Sequence, residues 1–181
     1  MKTKTVWKID PSHTEIGFKV KSMMISTVSG HFEDFAGSVE ASDDNFMDAN
    51  FNFTAQIGSI NTNDQDRDTH LKSDDFFNAA QYPQLKFVSK SYNGDKLTGD
   101  LTIRDVTKEI SLDVDYNGTV LDPYGQTKAG FEFEGTLKRK DFNLKWNAVT
   151  EAGNVVVSDK VKLVVSVQFV KRVLYNEKVT I

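Results

Sequence analysis

Apolar and polar residues take turns along most of this chain. In EIGFKVK, Ile16, Phe18 and Val20 share one face against Glu15, Lys19 and Lys21. NFNFTAQI sets Phe51, Phe53, Ala55 and Ile57 opposite Asn50, Asn52, Thr54 and Gln56. EISLDVDY does the same with Ile110, Leu112, Val114 and Tyr116, FEFEGTLK with Phe131, Phe133 and Leu137, and KVKLVVSVQF with Val161, Leu163, Val165, Val167 and Phe169. A period of two sustained this widely means strands with one wet and one dry face. Further strands are predicted at 5–10, 27–41, 85–92 and 97–104. YNGDK at 92–96 reads as a tight hairpin, because Asn-Gly accepts the positive φ of two-residue loops. DYNG at 115–118 and DPYGQ at 122–126 mark another connection. The count is about eight or nine strands in an antiparallel meander forming a single domain over residues 1–181.

Dry faces are buried either between two sheets or inside one closed sheet. The long strands, and Gly99 and Gly135 on dry faces, favour a barrel: an inward glycine either leaves space or permits the coiling that closure needs.

Residues 61–77, NTNDQDRDTHLKSDDFF, break the alternation. A short helix is predicted over 64–72, capped by Asn63, with Asp64 and Asp66 at its positive end and Leu71, Phe76, Phe77 and Ala80 as anchors. YPQ at 82–84 returns the chain to extended structure. In a closed meander such a segment belongs across one end of the barrel, as a lid.

Its chemistry admits other readings. Asp64, Asp66, Asp68 and Asp75 mimic calcium-loop spacing, but Thr69 replaces the required Gly and Asp75 is too short for the final bidentate ligand. Arg67, Asp68 and His70 are candidates for acid–base work or, more ordinarily, for a structural tie. His13 and His31 are isolated, so no metal is expected. No nucleophile elbow, phosphate-cradling glycine loop or zincin motif is present.

Composition narrows the field. The absence of cysteine excludes disulfides, thiolate catalysis and Cys-based metal centres. A net charge of −4 argues against nucleic acid. Thirteen phenylalanines are about twice average usage, so rings are wanted somewhere. No run has the length of a bilayer span or a signal peptide, which predicts a cytoplasmic protein, or a periplasmic one had a signal been removed.

Five ordered blocks resemble the YceI-like family, bacterial polyisoprenoid-binding proteins with a lipocalin-like barrel. They are WKIDPSHTEIGFKV at 7–20, VSGHFEDFAG at 28–37, RDTHLKSDDFFNAAQYP at 67–83, TGDLTIRDVTK at 98–108 and RKDFN at 139–143. Lys21 stands where many relatives carry His, and Asp105 and Asn143 where Gly is common; both tolerate left-handed backbone. The resemblance implies an eight-stranded barrel and an amphiphilic isoprenoid, a polyprenyl chain or a quinone, lying along the axis as a ligand rather than a cofactor, with no catalysis. An enzyme acting on such a substrate and a filled-barrel interaction module are the alternatives. The expected apolar lining is Phe18, Val20, Phe32, Phe51, Phe53, Phe87, Leu101, Ile103, Leu112, Val114, Phe131, Phe133, Val165 and Phe169. Arg67, Asp68, His70, Leu71, Phe76 and Phe77 are expected at the mouth, meeting a head group or pinning the lid. The basic stretch LKRKDFNLK at 137–145 reads as a solvated hairpin or a membrane contact. A homodimer is compatible with all of this.

Overall fold

A computed structural model describes residues 4–148 and 156–172. Its strands are β1 (Thr5–Ile9), β2 (Glu15–Ser22), β3 (Ser26–Phe32), β4 (Phe35–Ala41), β5 (Asn50–Gln56), β6 (Ile60–Asn61), β7 (Gln84–Tyr92), β8 (Lys96–Ile103), β9 (Val106–Leu121), β10 (Thr127–Lys138) and β11 (Val157–Arg172), with one helix, α1 (Gln65–Lys72). All pairings are antiparallel.

Three pairs of these strands are interrupted staves. β11 pairs with β1 through Phe169–Arg172 and with β2 through Val157–Ser166, so β1 and β2 run end to end along one neighbour. β3 and β4 continue beside β2 and β1, and β5 and β6 beside β4 and β3. Eight staves therefore close into one antiparallel barrel.

The interruptions have local causes. Pro11 has no N–H to give a ladder and opens a short 3-10 turn, Pro11–His13, which Asp10 caps by accepting from the Ser12 N–H. The strand expected at 27–41 breaks at Glu33–Asp34, where the N–H groups donate to the Ser59 carbonyl and hydroxyl instead of a neighbouring strand. DYNG is not a turn. Tyr116 pairs with Phe131 and Gly118 with Gly130, leaving Asn117 as a bulge inside β9, and only residues 122–126 turn the chain. In the 92–96 hairpin Gly94 alone takes positive φ, while the Asn93 side chain accepts from Asp95 and Lys96 N–H.

One end of the barrel is solid. Trp7, Phe51, Phe131 and Phe169 come from strands, and Phe46 from the irregular segment between β4 and β5. Phe46 lies 5.0 Å from Trp7 and 5.1 Å from Phe131, centroid to centroid. All five are at most 1% exposed. Inward-facing glycines do not leave space in this barrel: a Cβ on Gly99 would meet the Phe87 ring at 2.6 Å, and one on Gly135 would meet Leu112 at the same distance. They allow large side chains to lie against the backbone.

At this end Lys128 bridges Asp10 (2.9 Å) and Asp122 (3.8 Å), all three side chains no more than 16% exposed. The hydrogen bond from Lys128 holds the Asp10 carboxyl well below the ordinary value of 3.8, against the opposing effect of burial. A carboxyl depressed on folding stabilises the fold fully above that ordinary value, and the stabilisation is withdrawn as pH falls below it. Lys128→Met should therefore cost about 1–2 kcal/mol at neutral pH. The gap between variant and wild type, followed by urea unfolding, should narrow on acidification below the carboxylate range.

Candidate functional site

The opposite end holds α1 and the segment that follows it. Asp64, not Asn63, caps the helix by accepting from the Arg67 N–H; Asn63 instead takes left-handed φ. Phe77 and Ala79 N–H donate to the Leu71 and Lys72 carbonyls, folding the chain back beneath the helix. Phe76 is buried and Ala79 joins the apolar cluster around Phe32, while Ala80, expected as an anchor, is exposed.

Arg67 and Asp68 do not pair with each other. Both converge on Thr62, which is 3% exposed. The Asp68 carboxylate accepts from the Thr62 N–H (2.9 Å) and hydroxyl (2.6 Å). Arg67 donates from Nε to the Thr62 hydroxyl (2.8 Å) and from Nη2 to its carbonyl (2.6 Å). This ties the helix to the strand before it. His70 Nε2 lies 2.8 Å from Asp75, and its ring stands edge-on to Phe76 and Trp146. The four aspartates with calcium-like spacing are thus divided: Asp64 caps the helix, Asp66 is exposed in its first turn, Asp68 holds Thr62 and Asp75 meets His70. No group of three potential metal-ligating side chains exists among the described residues.

Two further arginines complete this end. Arg139, in the 3-10 turn Arg139–Phe142, is 3% exposed and donates to the carbonyls of Leu144, Trp146, Val157 and Ser158. It is not part of a solvated hairpin. Arg104 donates to the carbonyls of Asp74, Phe76 and Asn143, joining the lid to the β8–β9 turn. In that turn Arg104, not Asp105, is the left-handed residue, whereas Asn143 is left-handed as expected. Arg139 could have been found from sequence, since alternation through Leu137 and Lys138 points it inward; Arg104 and Thr62 carry no such signal.

Beneath this lid lies a cavity of about 280 Å³. Phe18, Val20, Phe32 and Ile103 line it together with Leu85, Leu137, Leu144, Trp146, Val161 and Leu163, and the lid contributes Arg67, His70, Leu71, Phe76 and Phe77. Asp68 does not reach it. A second space of about 90 Å³ continues it toward mid-barrel, sharing Phe18, Phe32, Leu85, Ile103 and Leu163. Phe53, Phe87, Leu101, Leu112, Phe133 and Val165 wall this deeper part, where Thr54 is the only polar residue among the described ones. Phe51, Val114, Phe131 and Phe169 border neither space and belong to the solid end. The arginines at the mouth spend most of their donors on carbonyls and Thr62, so the chamber is a greasy recess with a firmly bonded rim.

The architecture is thus an eight-stave antiparallel barrel with an apolar recess at one end. The chain belongs to the YceI-like domain family, which matches residues 7–169. UPF0312 protein SAS2572 of Staphylococcus aureus is 35% identical over 166 residues, covering 91% of this chain and 97% of that one. A YCEI protein of Campylobacter jejuni is 35% identical with a TM-score of 0.72, covering 91% and 96% of the two chains. Two more distant structures share the fold: BcnA of Burkholderia cenocepacia (22% identical, TM-score 0.75, 88% and 98% covered) and a polyisoprenoid binding domain from Saccharophagus degradans (14%, 0.68, 92% and 98%). No described helix is long and apolar enough to cross a membrane.

Proposed function

We propose that this protein binds and carries the apolar portion of an amphiphilic isoprenoid lipid, a polyprenyl chain or a quinone, without transforming it. The observation that carries this reading is the continuous apolar wall from the rim to mid-barrel. Each CH₂ buried there contributes about 0.8 kcal/mol, so a hydrocarbon chain is held without hydrogen bonds. The polyisoprenoid-binding designation of the Saccharophagus domain, which shares the fold, agrees with that ligand class.

The recess is at the small end of ligand pockets, which run from about 300 to 1,000 Å³. It therefore takes the terminal units of a chain and not the full axial length that the family resemblance implies. A head group would rest at the rim, where Lys21, Arg67 and His70 are among the polar lining residues. The His70–Asp75 pair at this rim favours the catalytic alternative, in which a His70→Ala variant would retain ligand but lose turnover.

Organic extraction of the purified protein followed by mass spectrometry should release a long-chain apolar species in near-stoichiometric amount. Recovery of protein whose interior contains only water would overturn the carrier reading.

A further inference from the structure

The outer surface near the mouth has features that ligand binding inside the barrel does not explain. The β2–β3 hairpin ends in Met23, Met24 and Ile25, exposed by 41%, 63% and 81%. Met23 and Met24 both have positive φ, at 47° and 59°, where Asn or Gly would be at ease and a long apolar side chain is uncommon. The base of the same hairpin, Val20 to Ser22 and Val28, forms one wall of the cavity. Beside it the sheet carries lysines in directly opposed pairs: Lys19 faces Lys162 across β2 and β11, and Lys138 faces Lys160 across β10 and β11. All four are exposed, as is Lys21. Like charges directly opposite each other disfavour a sheet unless something else engages them.

Further along the same wall the opposed pairs have the reverse sign. Glu132 faces Asp115 and Glu134 faces Asp113 across β9 and β10. Some of these charges have cross-strand partners, Lys162 with Glu134 and Lys96 with Asp113. The lysines thus form a local basic strip on β2, β10 and β11 beside the hairpin, whereas the helical lid carries exposed Asp64, Asp66, Asp74 and Asp75. A second exposed apolar tip, Val120, Leu121 and Tyr124, lies at the turn between β9 and β10 and serves as a natural control.

We infer that the β2–β3 hairpin and the lysine strip beside it form a docking face for an anionic lipid bilayer. The Met23–Met24–Ile25 tip enters the headgroup region, and Lys19, Lys21, Lys138, Lys160 and Lys162 lie against its negative charge. Apolar insertion combined with a basic surround is the chemistry of reversible interfacial binding. The flexible methionine side chains suit a disordered lipid surface. For the carrier function proposed above, on which this extension rests, the hairpin would give a lipid a path from bilayer to cavity with little exposure to water.

The test is sedimentation of the intact protein with phosphatidylcholine vesicles, with and without phosphatidylglycerol. Binding is expected only to the anionic vesicles, and should weaken as salt shortens the screening length. A Lys138→Glu/Lys160→Glu variant and a Met24→Asp/Ile25→Asp variant should each lose about tenfold or more in partitioning. Leu121→Asp/Tyr124→Asp should leave it unchanged. These are exposed positions, so circular dichroism should show an intact fold. Absence of binding to anionic vesicles, or binding indifferent to the mouth variants, overturns the inference. So does a hairpin variant that abolishes self-association in analytical ultracentrifugation while vesicle binding is unchanged, which would assign the tip to a second copy. Extraction of a lipid from protein that ignores vesicles would defeat docking alone; vesicle binding by protein that never holds a lipid would defeat the carrier reading alone.

Discussion

Replacing Arg139 with Met should lower the unfolding free energy by about 3–5 kcal/mol, the largest stability effect expected of any single change at the open end. Four main-chain carbonyls, from two segments of chain, share this guanidinium, and the residue is 3% exposed. Burial pulls its pKa below the ordinary value while the charge of Asp159 pulls it back up, so the cation is desolvated and depends on those carbonyls. A thioether fills part of the volume and leaves the oxygens without donors. Lysine should recover only part of the loss, since its three donors are not held in a planar fork. Urea unfolding measures both variants, and a loss under about 1 kcal/mol for Met would show that water replaces the guanidinium readily.

The second large effect concerns binding. Leu163 borders both the outer cavity and its deeper continuation and pairs across the sheet with Phe18. A Leu163→Trp variant should place an indole at that junction. Denying a chain even two buried methylenes costs about tenfold in affinity, so lipid retention should fall by at least that factor. Filling an existing void differs from overpacking a full core: the unfolding midpoint should hold or rise slightly, instead of showing the usual loss of about 1–3 kcal/mol. Unchanged retention, by extraction and mass spectrometry, would remove this part of the barrel from the proposed ligand path.

How much of this was legible in the sequence depends on what periodicity encodes. Alternation tells which face a side chain takes, and the inward placement of Phe53, Phe87 and Phe133 followed directly. It carries no information about depth along the axis or about volume. Phe51 and Phe53 are two residues apart on one strand, yet one packs into the solid end and the other walls the recess. Phe51 meets Phe131, and Phe131 in turn meets Phe46, which is delivered from a segment with no periodicity at all. The helix was visible because its capping and anchoring residues are local in sequence, although the cap lies one residue later than expected. The break at Glu33–Asp34 was not visible, because its cause is a hydrogen bond to Ser59, a partner that alternation cannot name. Arg67 and Asp68 stood out by composition, but their shared partner Thr62 did not, since a lone Thr in a polar run has no distinguishing feature.

The aromatic stopper around Phe46 closes one end of the barrel among the described residues, so a molecule carried as proposed would have to leave by the rim through which it entered. Such a blind socket would gauge only the last few units of its guest. A long molecule and a short one with identical termini would then fill the interior alike and differ only in what they leave hanging at the threshold.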